Sequence, residues 1–161
     1  MARKTPTSRS EAIAMMQKRQ KKIENPAEDA LQQKIVMAFY DKFPQDNGRL
    51  IGYDANASNG AEGMKKLGMG VRRGVSDIML FEEGRMIAIE LKTSDSRHSA
   101  AHVVEQCDFI INNAYRGGFC TSLEQFWRIH DGLESGICPR KVKKYIQDNK
   151  ISTICFGIFE K

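Results

Sequence analysis

Three ionisable residues stand close together in the stretch RRGVSDIMLFEEGRMIAIELKTS, residues 72–94. Asp77 opens one apolar run, while Glu90 and Lys92 close a second. Charged side chains are rarely placed on core strands without a partner or a task. Two carboxylates converging at a sheet end make a hard oxygen-donor site of the kind Mg²⁺ or Mn²⁺ prefers, and the main-chain carbonyl of Leu91 could add a neutral ligand. A lysine beside them can orient a water, help deprotonate it, or stabilise a charged phosphate. Together these are the parts that phosphodiester hydrolysis needs. The same spacing also fits an exposed hairpin whose Glu90 and Lys92 are solvated edge charges.

The elements that must position these residues follow from the pattern around them. Ile78 to Phe81 and Met86 to Leu91 read as two strands joined by the turn Glu82-Glu83-Gly84-Arg85. Side chains alternate along a strand, so Glu90 and Lys92 share a face, about 7 Å apart, while Ile89 and Leu91 take the other. A tight turn returns the second strand beside the first and brings Glu90 near Asp77. Upstream, Asn25-Pro26-Ala27-Glu28 is a capping box that starts a helix, and Leu31, Ile35, Phe39 and Phe43 give it an apolar stripe ended by Pro44. Residues 45–74 read as a long loop with a short strand from Leu50 to Asp54 and a short helical turn. Downstream come a helix from Ser99 to Tyr115, broken by Gly117-Gly118, and a short strand from Phe119 to Thr121. A second capping box, Ser122 to Gln125, opens a helix to His130; a basic helix runs from Pro139 to Asn149, and a final strand lies within 151–159. The order predicts an α/β fold around one mixed sheet flanked by helices.

The chain has 161 residues, 41% of them hydrophobic, enough for a single core. Its formal net charge of +5 suits a polyanionic partner. The charge is uneven, crowding Arg3, Lys4, Arg9, Lys18, Arg19, Lys21 and Lys22 at one end and Arg140 to Lys144 near the other. Residues 1–25 read as a basic arm and a short helix starting at Ser8. No apolar run reaches the roughly 20 residues that span a bilayer. The four scattered cysteines form no CxxC pair, which predicts reduced thiols in a cytoplasmic protein with no disulfide framework.

An Asp at the start of one strand followed by Glu-x-Lys on the next resembles the core of the PD-(D/E)XK nuclease superfamily. The similarity is closest to its virus-type replication-repair nuclease branch, the VRR-NUC domain, in stand-alone phage or bacterial form. MGVRRGVSDIML (residues 69–80), IAIELKT (87–93), Gln106 in the following helix, the Gly-Gly and FCTSLEQF stretch to residue 126, and Glu28 to Gln32 upstream all carry it. It covers roughly residues 26–131, leaving 1–25 and the C-terminal helix and strand of 132–161 as additions to the same domain. One departure is Ser76, where the family often has proline; that position is not a ligand.

The resemblance implies a restriction-endonuclease-like core of αβββαβ order. It implies Asp77 and Glu90 as metal ligands with the Leu91 carbonyl, Lys92 as catalytic lysine, Gln106 near the phosphate or attacking water, and Glu28 as an outer carboxylate. Glu28 is also the reciprocal partner of Asn25 in the capping box. The implied activity is a Mg²⁺-dependent DNA endonuclease, with Mn²⁺ able to substitute and no organic cofactor. Branched DNA such as a Holliday junction, cut by a homodimer in the (host) cytoplasm, is the favoured substrate. Flap or duplex cleavage by the same fold, and a non-catalytic DNA-binding replication or repair accessory protein, are the alternatives.

Lys65, Lys66, Arg72 and Arg73 precede Asp77 and Arg97 follows the second strand, where each could grip phosphates. His98 and His102 share an i, i+4 spacing but have no evident third ligand, so they read as surface or helix-start residues. Phe126 and Trp127 read as core or interface residues.

Overall fold

The computed structural model of the chain describes residues 26–46, 48–53, 65–66, 68–72, 74–93 and 97–156. The N-terminal arm, Asn25 of the first capping box and Arg73 lie outside them. Helix α1 (Pro26–Lys42) is followed by strands β1 (Leu50–Gly52), β2 (Ile78–Glu82), β3 (Arg85–Leu91) and β4 (Arg97–Ser99). Then come α2 (Ala100–Asn113), β5 (Arg116–Cys120), α3 (Leu123–His130), α4 (Pro139–Asn149) and β6 (Thr153–Cys155). The protein is α/β, with a mixed four-stranded sheet flanked by helices.

The main sheet has the order β1-β2-β3-β5, antiparallel at the first two junctions and parallel between β3 and β5. A parallel neighbour needs a crossover, and α2 supplies it. The β2–β3 hairpin is closed by Glu83 and Gly84 alone, since Glu82 pairs with Arg85. Both turn residues have positive φ, 49° and 75°, the twist that two-residue hairpins favour. Gly84 meets that demand at no steric cost, while Glu83 bears some strain.

Alternation along the strands feeds two apolar clusters. On one face Leu50, Ile78, Leu80, Ile87, Ile89, Leu91 and Cys120 pack with Ile35 and Phe39 of α1 and Phe126 and Ile129 of α3. On the other, Phe119 joins Val103 and Cys107 of α2, Val142 and Ile146 of α4, and Ile154 and Phe156. Burying each large side chain contributes about 1.5–3 kcal/mol. The predicted α1 stripe is therefore the face that meets the sheet, with Leu31 and Phe43 packed at its margins, and Trp127 lies partly buried against the same cluster.

Two predictions from sequence change. Gly117 and Gly118 do not merely break a helix, because β5 runs through them. Their lack of side chains is a packing requirement: a Cβ on Gly117 would lie 2.0 Å from Ala88 O, and one on Gly118 2.1 Å from Ser135 O. The final strand, expected within 151–159, is Thr153–Cys155 among the described residues, with 157–159 lying outside them, and it leaves the main sheet to pair with β4, His98 lying opposite Ile154. All four cysteines are free; burial pushes the Cys107 thiol up to about 12 and the Cys120 thiol up to about 11. Among the described residues no helix is long and apolar enough to cross a membrane.

Candidate active site

Ile78 pairs with Ile89, so the register continued by one residue sets Asp77 opposite Glu90. The Leu91 N–H donates to Asp77 Oδ2 at 2.8 Å, which fixes the carboxyl at the mouth of the hairpin. Tyr53 N–H donates to Asp77 O at 2.8 Å, and Gln32 Nε2 lies 3.5 Å from the same carbonyl. The strand entrance is thus held from β1 and from α1. Ser76, just before it, is fully buried, and its hydroxyl has no partner among the described residues.

Glu90 and Lys92 are not edge charges. They are 1% and 2% exposed, because β3 is an inner strand and α2 lies over the face they share. Lys92 Nζ donates to Glu90 Oε1 at 2.6 Å, and Gln106 Nε2 of α2 donates to the same oxygen. Burial pushes the Glu90 carboxyl up to about 8, against the attraction of Lys92 and with help from the negative charge of Asp77. Desolvation of a carboxylate costs several kcal/mol, more than one lysine returns. Asp77 is also raised, first by burial, with Lys92 and the Leu91 N–H pulling the other way.

Asp77 faces Glu90 closely enough for its negative charge to raise the Glu90 carboxyl. Among the described residues Glu90 Oε2 receives no donor, and it is sealed from water. Such a pair is relieved by a proton or by a cation, so a divalent ion fits the donor set that Asp77 and Glu90 could provide. Among the described residues no group of three or more His, Cys, Asp or Glu side chains converges into a metal cluster. Two carboxylates with water completing the shell is the set that Mg²⁺ commonly takes.

Glu28 sits at the edge of this arrangement, its negative charge raising both Asp77 and Glu90. Its Oε1 is 3.7 Å from His98 Nε2. Burial, then the charges of Lys92 and His102, push His98 down to about 4, so this contact at neutral pH is between a carboxyl and a neutral ring. Sequence reasoning missed both histidines as neighbours of the site. His98 is brought there by the β4–β6 sheet, and His102 Nε2 lies 3.0 Å from Gln106 Nε2. Phe156 was missed as well: its ring stacks edge-on against His98 and lies 5.8 Å from Lys92 Nζ. The i, i+4, i+8 run of His98, His102 and Gln106 was the one available signal.

The described basic residues predicted to grip phosphates lie in the segment before Asp77 and on β4. Lys65 and Arg72 are exposed in the segment before Asp77, and Arg97 is exposed on β4. Arg72 N–H donates to the Tyr53 hydroxyl at 3.0 Å, while Tyr53 N–H holds Asp77 O. Tyr53 therefore ties the basic segment to the main chain of Asp77. Lys66 is half-buried, and its carbonyl accepts from Met69 and Val71. Set against known proteins, the chain matches no family model, no curated protein and no solved structure.

Proposed function

We propose that the chain is a Mg²⁺-dependent DNA endonuclease of the PD-(D/E)XK type, in its VRR-NUC branch, with a restriction-endonuclease-like core built from α1, β1–β3, α2 and β5. One observation carries the reading: the buried Glu90 carboxyl, bonded to the equally buried Lys92, lies opposite the part-buried Asp77 at the mouth of the hairpin. Burying two ionisable groups beside a third is expensive for a fold of this size, and stability alone gives little reason to keep them. The order of elements and the motifs of residues 69–93 support the same reading.

Asp77 and Glu90 would hold the cation, with Leu91 at the same corner. A bound divalent ion supplies Lewis-acid polarisation of the phosphate and a more acidic attacking water. Lys92 would bring its ammonium group to the phosphate, where charge develops in the transition state. Gln106 fixes the Glu90 carboxylate, and Glu28 lies where it could orient a water. Lys65, Lys66, Arg72 and Arg97 would draw the DNA backbone across the opening. Two copies related by a two-fold axis would present two such sites to a branched, nearly symmetric duplex, which makes a four-way junction the preferred substrate.

The test is a panel of labelled four-way junction, flap and linear duplex, each incubated with Mg²⁺, Mn²⁺ or EDTA. The reading predicts cleavage with either metal, none in EDTA, and paired cuts on the junction. Salt-dependent DNA binding with no metal-dependent product on any substrate would instead identify a DNA-binding accessory protein.

A further inference from the structure

Helix α2 carries His102 and Gln106 one turn apart, the spacing that sets two side chains on one helix face. The Gln106 amide nitrogen reaches both ways: it donates to Glu90 Oε1 and lies 3.0 Å from His102 Nε2. An amide NH₂ group offers two hydrogens and accepts none. Both contacts are made by that nitrogen, so His102 Nε2 has to be the unprotonated acceptor, with the ring hydrogen on Nδ1. Glu105 agrees, since its Oε2 lies 3.6 Å from His102 Nδ1 and places negative charge beside that N–H. The reversed amide would turn Gln106 Oε1 onto Glu90 Oε1, acceptor against acceptor, at a place where Glu90 is 1% and Gln106 4% exposed.

We propose that His102 is a positioning residue for Glu90, acting through Gln106: by accepting one amide hydrogen it commits the other to the carboxylate. With Glu90 Oε1 held by Lys92 and Gln106, Oε2 is the oxygen left for a proton or a cation. The consequence for cation binding rests on the function proposed above. The ring tautomer is independent of it.

The experiment uses the full-length protein labelled with ¹⁵N-histidine. Long-range ¹H–¹⁵N spectra in metal-free buffer at neutral pH should show His102 with Nε2 bare and Nδ1 protonated, the signal being assigned by its loss in His102→Leu. An Nε2-protonated or doubly protonated ring overturns the proposal. Titration calorimetry with Mg²⁺ then compares the wild type, His102→Leu and His102→Gln, with melting temperatures as the folding control. His102→Leu should bind Mg²⁺ about 10-fold more weakly, and His102→Gln, whose side-chain carbonyl can accept the same hydrogen, should recover most of the loss. Equal, measurable affinity in the wild type and His102→Leu overturns the proposal. If the wild type binds no Mg²⁺, the cation reading of the site fails, and the tautomer still decides the role of His102.

Discussion

Lys92 Nζ sits 2.6 Å from Glu90 Oε1 with both side chains withdrawn from water, at 3% and 2% exposure. A pair in that position is held by geometry more than by net energy, and removing one partner is worse than removing both. Lys92→Met should therefore destabilise the protein by about 3 kcal/mol, read by urea unfolding at a pH above about 8, where the Glu90 carboxyl is ionised. Adding Glu90→Gln should return more than half of that loss. Additive single effects in the double-mutant cycle would show that the two side chains do not depend on each other.

The metal-free protein should become less stable as pH rises. The Glu90 carboxyl is raised from about 4.5 to about 8 in the folded state, so between those values the native protein holds a proton that the unfolded chain has released. Its contribution is full below pH 4.5 and is lost as pH climbs through 8. Unfolding in EDTA at pH 5 and pH 8 should show the wild type losing on the order of 3 kcal/mol relative to Glu90→Gln. Saturating Mg²⁺ should flatten that difference, because a cation replaces the proton. Parallel wild-type and Glu90→Gln stability curves in EDTA would refute the buried, proton-holding carboxyl.

Gly118→Ala should damage the sheet itself. The added methyl would stand 2.1 Å from Ser135 O, a main-chain atom of the segment that bridges to Phe119 through Ile137. Backbone on both sides has little freedom to give, so the loss should be at least about 2 kcal/mol. Thermal melting within 1 °C of the wild type, on the order of 0.3 kcal/mol, would show that this segment moves freely away from β5.

How far the sequence could be read depended on what each signal reports. The hairpin was legible because its apolar runs and its Glu-Gly turn are local, and its register follows from them. The turn alone brought Glu90 near Asp77; the structure's register sets them opposite each other. The helices from Pro26, Ser122 and Pro139 were legible through their caps and prolines, and the one from Ser99 through the spacing of Val103, Cys107, Ile110 and Ala114. Burial of Glu90 and Lys92 was not, because it depends on α2 lying over one face of β3, a tertiary fact. Strand β4 escaped notice since Arg97, His98 and Ser99 have no strand pattern of their own and become one only by pairing with β6. With β4 went His98 and Phe156. His102 looked peripheral because its partner, Gln106, earns meaning only once it reaches Glu90.

The central claim is that Asp77, Glu90 and Lys92 form one cation-dependent phosphodiesterase site. It is tested most directly by measuring cleavage of a labelled four-way junction by the wild type and by Asp77→Asn, side by side at one Mg²⁺ concentration. The substitution keeps the side chain's shape and its hydrogen-bonding oxygen toward Leu91 N–H while removing the charge. The account predicts that the wild type cuts, that EDTA stops it, and that folded, DNA-binding Asp77→Asn yields no product. Equal cleavage by the two proteins would contradict it.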